Sequence, residues 1–257
     1  MKVIRSIATA FALFSKLPMP SLDWMEDNML YLPAAFPLVG ILTGLLLQVW
    51  FWLGQYLLLG HMLCSVGLTL IPIAVTGGIH LDGLCDTADA LASRAPAEKK
   101  AEILADPGIG AFALISLIAY MFAYLALASE WPAGERAILT LGLIHMLSRV
   151  MVGFGLVYFP AARSEGFYYT IQVSARKGPV SVVLGLWLIL AAVGLFWTSG
   201  WPGLVLVGLA LLLSLFIYRM SAKQFGGMNG DLAGYWLQVT ELVLMAGLVF
   251  IGKAAAL

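Results

Sequence analysis

Charge is what this chain has least of. Lys and Arg number 14 and Asp and Glu 14, together 11% of 257 residues, where a soluble domain carries around a quarter. The net charge is zero, so no global basic field recruits nucleic acid, and nucleic-acid partners are not expected. Cysteine is scarce as well: Cys64 lies in an apolar run and Cys85 in an acidic motif, which excludes a disulfide framework and reads as two free thiols. Long polar stretches are missing; the longest, about 79–110 and 160–179, are too short to build a core of their own. Between Asn28 and Leu81 there is no Asp, Glu, Lys or Arg at all. What remains is a 61% hydrophobic chain with mean hydropathy of +0.95. That is an integral membrane protein, and one helical membrane domain over 1–257 is the simplest account.

A membrane span needs roughly 20 mostly apolar residues. Seven are expected, about 34–59, 62–78, 111–129, 137–159, 180–197, 203–218 and 232–251, giving an all-α polytopic fold. The fifth and sixth are joined by a Thr-Ser-Gly-Trp-Pro turn, which fits a tight antiparallel hairpin. Ahead of them, 1–33 forms an interfacial N-terminal segment. Lys2 and Arg5 precede an apolar stretch, but Pro18 and Pro20 interrupt it and no small-x-small site follows, so cleavage is not expected. Val3, Ile7, Phe11 and Phe14 instead make the stripe of an amphipathic helix lying in membrane lipid. The basic residues then orient the spans. Lys2, Arg5 and Lys16, then Arg94, Lys99 and Lys100, then Arg163, Arg176 and Lys177, then Arg219 and Lys223 all fall on one side, against Arg136 and Lys253 on the other. The first side is expected to be cytoplasmic, in a cytoplasmic (inner) membrane, with the N-terminus and the polar loops on it.

Three polar constellations break the apolar background. In Gly77-Gly78-Ile79-His80-Leu81-Asp82-Gly83-Leu84-Cys85-Asp86-Thr87-Ala88-Asp89, three carboxylates spaced i, i+4 and i+7 share a helical face. Acids stacked so closely repel one another unless a cation sits among them. Mg²⁺ fits, since it takes one or two carboxylates and completes its shell with waters and phosphate oxygens. Asp82, Asp86 and Asp89 are therefore candidate metal ligands, with Gly77, Gly78 and Gly83 allowing substrate or backbone to approach closely. In the second constellation, 102–110, Asp106 precedes a Pro-Gly turn and either caps the next helix or joins the metal site. In the third, Gly226-Gly227-Met228-Asn229-Gly230-Asp231 either ends one span and caps the next, or cradles phosphate while Asp231 adds a ligand. Within the spans, Arg149 and Glu241 sit at similar depth and could pair, and His145 lies one turn from Arg149.

The segment His80 to Asp89 resembles the signature of the cobalamin-5′-phosphate synthase family, the adenosylcobinamide-GDP ribazoletransferases. Phe14-Ser15-Lys16-Leu17-Pro18, Phe36-Pro37-Leu38-Val39-Gly40, 102–110, Ser148-Arg149, Ala162-Arg163 with Gly166, and 226–231 with Glu241 resemble family segments in the same order. The resemblance implies a polytopic, Mg²⁺-dependent transferase of cobalamin biosynthesis. Such an enzyme joins α-ribazole, or its 5′-phosphate, to adenosylcobinamide-GDP and releases GMP. On that basis Mg²⁺ is expected on Asp82, Asp86 and Asp231, with Asp89 and Glu241 as further candidate ligands and Asp89 or His80 as the base. Gly77, Gly78, Arg149, Arg163, Gly226, Gly227 and Asn229 are the candidate substrate contacts. A homo-oligomer is compatible with this reading. Two others stay open: a CDP-alcohol phosphotransferase-type lipid enzyme, whose acid pattern is ordered differently, and a divalent-cation or proton-coupled transporter, whose sites lie near the midplane.

Overall fold

Every strongly apolar stretch of the sequence is helical in the computed structural model, which describes residues 2–19, 26–132 and 134–254. Chain order gives α1 (Lys2–Phe14), α2 (Glu26–Met29), α3 (Leu32–Tyr56), α4 (His61–Thr76), α5 (Ile79–Ala92) and α6 (Ala97–Ile103). There follow α7 (Ala111–Ser129), α8 (Glu135–Tyr158), α9 (Phe167–Ser174), α10 (Lys177–Ser199), α11 (Trp201–Phe225) and α12 (Gly230–Ala254). Six of these are long and apolar enough to cross a membrane, and the bent pair α4 and α5 brings the number to seven. Residues 20–25 of the expected interfacial segment, Pro20 among them, lie outside the described residues.

The spans begin and end close to where hydropathy puts them, with two informative differences. The sixth, expected over 203–218, runs on to Phe225. Arg219 and Lys223 made the sequence look finished, but both are exposed, with stems long enough to carry their charges clear of the apolar zone. The second ends at Thr76, where Gly77 and Gly78 take successive left-handed backbone angles (φ +66° and +81°) and turn the chain through 92°. Glycine adopts those angles without a Cβ penalty. The stretch 79–110 therefore opens with a fourteen-residue helix, α5, set at 92° to α4 and packed against α7 and α12.

At the centre stands α8, with 78% of its most apolar stretch buried against 22% for α7, α10 and α11. It lies tight against α3 because Gly40 and Gly44, four apart, meet α8 backbone: a Cβ on Gly44 would sit 2.8 Å from the Cα of Gly142. This is the small-xxx-small approach by which helices associate in lipid. Side-chain and backbone contacts sort the loops into two ends. At one, Lys16 N–H donates to Val75 O (2.8 Å), and Ala162 N–H donates to Met228 O (2.8 Å). At the other, Trp52 Nε1 donates to Glu135 (3.1 Å), Thr140 and Ser199 hydroxyls meet at 2.9 Å, and Lys253 pairs with Glu130. The four basic groups picked out by the sequence all fall at the first end, and α5 with them.

Candidate active site

The acids reach one another because two helices cross on glycine. Gly83 of α5 faces the backbone of Asp231 at the start of α12, where a Cβ would come 2.5 Å from the Asp231 carbonyl oxygen. Gly234, one turn further along α12, faces His80, whose carbonyl oxygen lies 3.1 Å from the position of a Cβ there. With nothing but hydrogens between the backbones, Asp82 and Asp86 are brought beside Asp231, although 145 residues separate Asp86 from it. The electrostatics register this. Burial, then the charges of Asp82, Asp231 and Asp89, push the Asp86 carboxyl up to about 6. Such a cluster is one that a cation relieves. Among the described residues no three His, Cys, Asp or Glu side chains are placed so that together they could hold a metal ion; an ion here would rest on fewer carboxylates and take the rest of its shell from water and phosphate oxygens, as Mg²⁺ can. The donor set is all oxygen and fits that ion.

Asp89 sits on the same helix, but its carboxylate is engaged. Its Oδ2 accepts from Gly110 N–H (2.8 Å) and its Oδ1 from Ala113 N–H (2.9 Å). It thus satisfies two of the free amides that open α7 and favours the positive end of that helix's dipole. Asp89, not Asp106, supplies the cap that was one of two readings for Asp106; Asp106 closes its own turn by accepting from Gly108 N–H (2.9 Å). Of the two base candidates, Asp89 has both carboxylate oxygens engaged by backbone amides. His80 is buried and held down at about 3, mainly by burial and then by the nearby Arg149 charge, with Glu241 pulling the other way.

Two clefts meet at Asp231. The larger, about 260 Å³, lies between α6, the 160–166 loop and α9, and its wall includes Arg163, Glu165, Asn229 and Asp231. The smaller, about 140 Å³, is walled by Phe14, Phe36, His80, Asp82 and Asp231, and shares Phe167, Tyr168 and Gly230 with the first. The loop carrying Arg163 is fastened to the Gly226–Asp231 turn. Met228 N–H donates to Pro160 O (2.8 Å) while Ala162 N–H returns to Met228 O. Gly227 (φ +150°) permits the contact, since a Cβ there would lie 2.7 Å from Pro160 O. Asn229 caps α12, its Oδ1 accepting from Leu232 N–H (2.9 Å) and its Nδ2 donating to Asp231 Oδ2 (3.1 Å). Gly77, Gly78, Gly226 and Gly227 serve as turns and line neither cleft.

The intramembrane charges stand apart from the acids. Glu241 lies ten residues beyond Asp231 on α12, about 15 Å along the helix, too far to share an ion with it. Its Oε1 accepts from Arg149 Nη1 (2.6 Å) and Ser148 Oγ (3.0 Å), with His145 Nδ1 at 2.8 Å. Arg149 also donates to His145 O (2.8 Å) and lies 5.9 Å from the Phe36 ring. Both residues are 1% exposed, so the pair ties α8 to α12 and the structure does not bring Arg149 or Glu241 to the clefts' walls. Phe14 and Phe36, in the aromatic wall of the smaller cleft, were not singled out by the sequence as part of a site. Phe14 was read only as lipid anchor, and its position in the Phe-Ser-Lys-Leu-Pro segment was the available signal.

Comparison with known proteins supplies the family. The pattern of the cobalamin-5-phosphate synthase family matches residues 6–249. A protein of Lachnoclostridium phytofermentans named adenosylcobinamide-GDP ribazoletransferase is 38% identical over 98% of this chain and 95% of its own length. Proteins of the same name from Desulfitobacterium hafniense (30% identical, covering 96% of this chain and 97% of their own) and Clostridium botulinum (29%, 94% and 95%) are similar along the same extent. No solved structure matches. With the match running from α1 to the last turns of α12 and through every segment that builds the clefts, this chain belongs to the cobalamin-5-phosphate synthase family.

Proposed function

We infer that the chain is an adenosylcobinamide-GDP ribazoletransferase, joining α-ribazole or its 5′-phosphate to adenosylcobinamide-GDP with release of GMP. The observation that carries the reading to particular residues is the glycine crossing of α5 and α12 in a chain of this family, which leaves Asp231 in the walls of both clefts and Asp82 in that of the smaller, with Asp86 one turn along α5 from Asp82. A ribose hydroxyl attacks the cobinamide-side phosphorus; a new O–P bond forms and the P–O bond to the GMP phosphate breaks. A loose transition state asks little of a base, and the hydroxyl proton passes to the departing phosphate or to water. Positioning and charge do most of the work.

Asp82, Asp86 and Asp231 would hold Mg²⁺ at the junction of the clefts. When bound, that ion neutralises charge gathering on the diphosphate oxygens. Arg163, exposed on the wall of the larger cleft, presents a guanidinium fork to phosphate, the geometry for which arginine surpasses lysine. Asn229 holds Asp231 in its rotamer. Asp89 fixes α5 to α7 and acts on the reaction only by keeping the acid helix in register. The arginine-rich side of the spans, and hence the active face, is cytoplasmic by the positive-inside rule, where GMP and soluble ribazole are at hand. GMP release from adenosylcobinamide-GDP, followed with and without α-ribazole and Mg²⁺ in purified protein, tests the assignment. A CDP-alcohol enzyme or a transporter would release none.

A further inference from the structure

A residue lining the smaller cleft carries a buried polar atom that has no partner among the described residues. His80 is 5% exposed, packs 6.1 Å from the ring of Phe14 and 5.9 Å from that of Phe36, and its Nε2 has no hydrogen-bond partner. Buried polar groups are almost always paired, and leaving one unpaired is costly. The remainder of the wall offers no partner: Tyr168 spends its hydroxyl on the carbonyls of Gly155 (2.7 Å) and Phe159 (3.2 Å), and the other members away from Asp82 and Asp231 are apolar. Phe14, Phe36 and Phe167 cluster in its wall, Phe14 and Phe36 with ring centres 4.3 Å apart. A space of about 140 Å³ with aromatic sides and one hydrogen-bond donor within takes a flat bicyclic ring, and a corrin ring is far too large for it.

We propose that this cleft is the subsite for the aromatic base of the riboside, with His80 Nε2–H donating to the unsubstituted ring nitrogen of that base. The proposal rests on the ribazoletransferase reading and deepens it. A benzimidazole riboside has one ring nitrogen bonded to the sugar and one free lone pair, which matches one donor set in apolar walls. With the base seated there, the ribose points to the mouth of the cleft, where Asp82 and Asp231 stand, and Arg163 faces it across Asp231 in the larger cleft. His80 then selects and positions the nucleophile, a role distinct from proton transfer. Purine and pyrimidine ribosides, whose bases carry several polar edges, would leave those edges unpaired against the phenylalanines and bind poorly.

The test compares α-ribazole with the matching dimethylindole riboside, in which a C–H replaces the free ring nitrogen. Binding of each to wild-type protein in lipid nanodiscs is measured by calorimetry, which needs no turnover. The indole riboside is expected to bind about tenfold more weakly, the scale of one buried hydrogen bond left unmade, and the two ribosides to bind equally to His80→Phe. In steady state, His80→Phe raises KM for α-ribazole about tenfold and leaves that for adenosylcobinamide-GDP within twofold. Equal binding of the two ribosides to the wild type overturns the subsite, as does a His80→Phe effect confined to the cobinamide nucleotide. Absence of GMP release from wild-type protein that still distinguishes the ribosides would count against the transferase reading and leave the subsite standing.

Discussion

Burial and acidic neighbours push the Asp86 carboxyl up, and the sign of that shift makes an expectation. Its folded-state pKa is raised from 3.8 to about 6, so the folded protein binds that proton more tightly than the unfolded chain does. Stability from this group is fully present below the unfolded value and is lost as pH rises through about 6. Without divalent ion, Asp86→Asn is therefore expected to raise the melting temperature at pH 8 and to have little effect at pH 4. Mg²⁺ competes with the proton, so its stabilising effect on the wild type is expected to fall about tenfold in apparent affinity for each pH unit below about 6. Thermal melts across pH and Mg²⁺ concentration read both. A Mg²⁺ effect independent of pH and of Asp86 would remove Asp86 from the ion's ligands. Legibility at this scale was uneven. The spacing of Asp82, Asp86 and Asp89 displayed the cluster, but it could not tell that Asp89 spends both oxygens on α7 amides, because that partner lies 21 positions away across a turn whose path the sequence does not fix.

Helix crossings decide what those residues can do. A methyl group on Gly83 meets the Asp231 backbone head-on, and backbone cannot give way as a side-chain tip can. Gly83→Ala is expected to cost at least tenfold in kcat/KM by lifting α5 from α12, whereas Gly78→Ala, with open space at its Cβ and strain only from φ +81°, should alter stability more than activity. Parallel assays of turnover and melting separate the two. The buried ion pair gives a second expectation on the same scale. Glu241→Leu leaves Arg149 buried without its carboxylate and is expected to cost on the order of 3–5 kcal/mol, while Arg149→Met with Glu241→Leu recovers most of it. Melting of the single and double variants tests that the pair is structural. A double variant no better than the singles would reassign Arg149 to substrate. The pairing was legible because the two residues lie at equal counts from span ends; the crossing was not, since Gly83 and Gly234 announce a close approach without naming the partner.

For the whole molecule, the apolar runs placed the six long spans and, with the bent pair α4 and α5, the seventh, and the arginines and lysines picked out the end of the bundle at which the loop contacts gather. Hidden from sequence were the 92° turn at Gly77-Gly78 and the short helix α6; the acid spacing pointed to a helix at α5 but could not give its direction relative to α4. The two ends make a topology expectation: single cysteines placed in a Cys64→Ala, Cys85→Ala background at Glu165 and at Glu130 should be modified by a membrane-impermeant thiol reagent from opposite sides, Glu165 from the cytoplasm. Labelling of both from one side would refute the assigned topology.

The central claim is that Asp82, Asp86 and Asp231 form one Mg²⁺-dependent centre for ribazole transfer. It is tested most directly by GMP release from adenosylcobinamide-GDP and α-ribazole at graded Mg²⁺, by wild-type protein beside Asp82→Asn and Asp231→Asn. Release is expected to require both α-ribazole and Mg²⁺ and to fall about 10²-fold or more in each folded variant, with a higher Mg²⁺ requirement in both. Full activity in folded Asp231→Asn, or release indifferent to Mg²⁺, would contradict it.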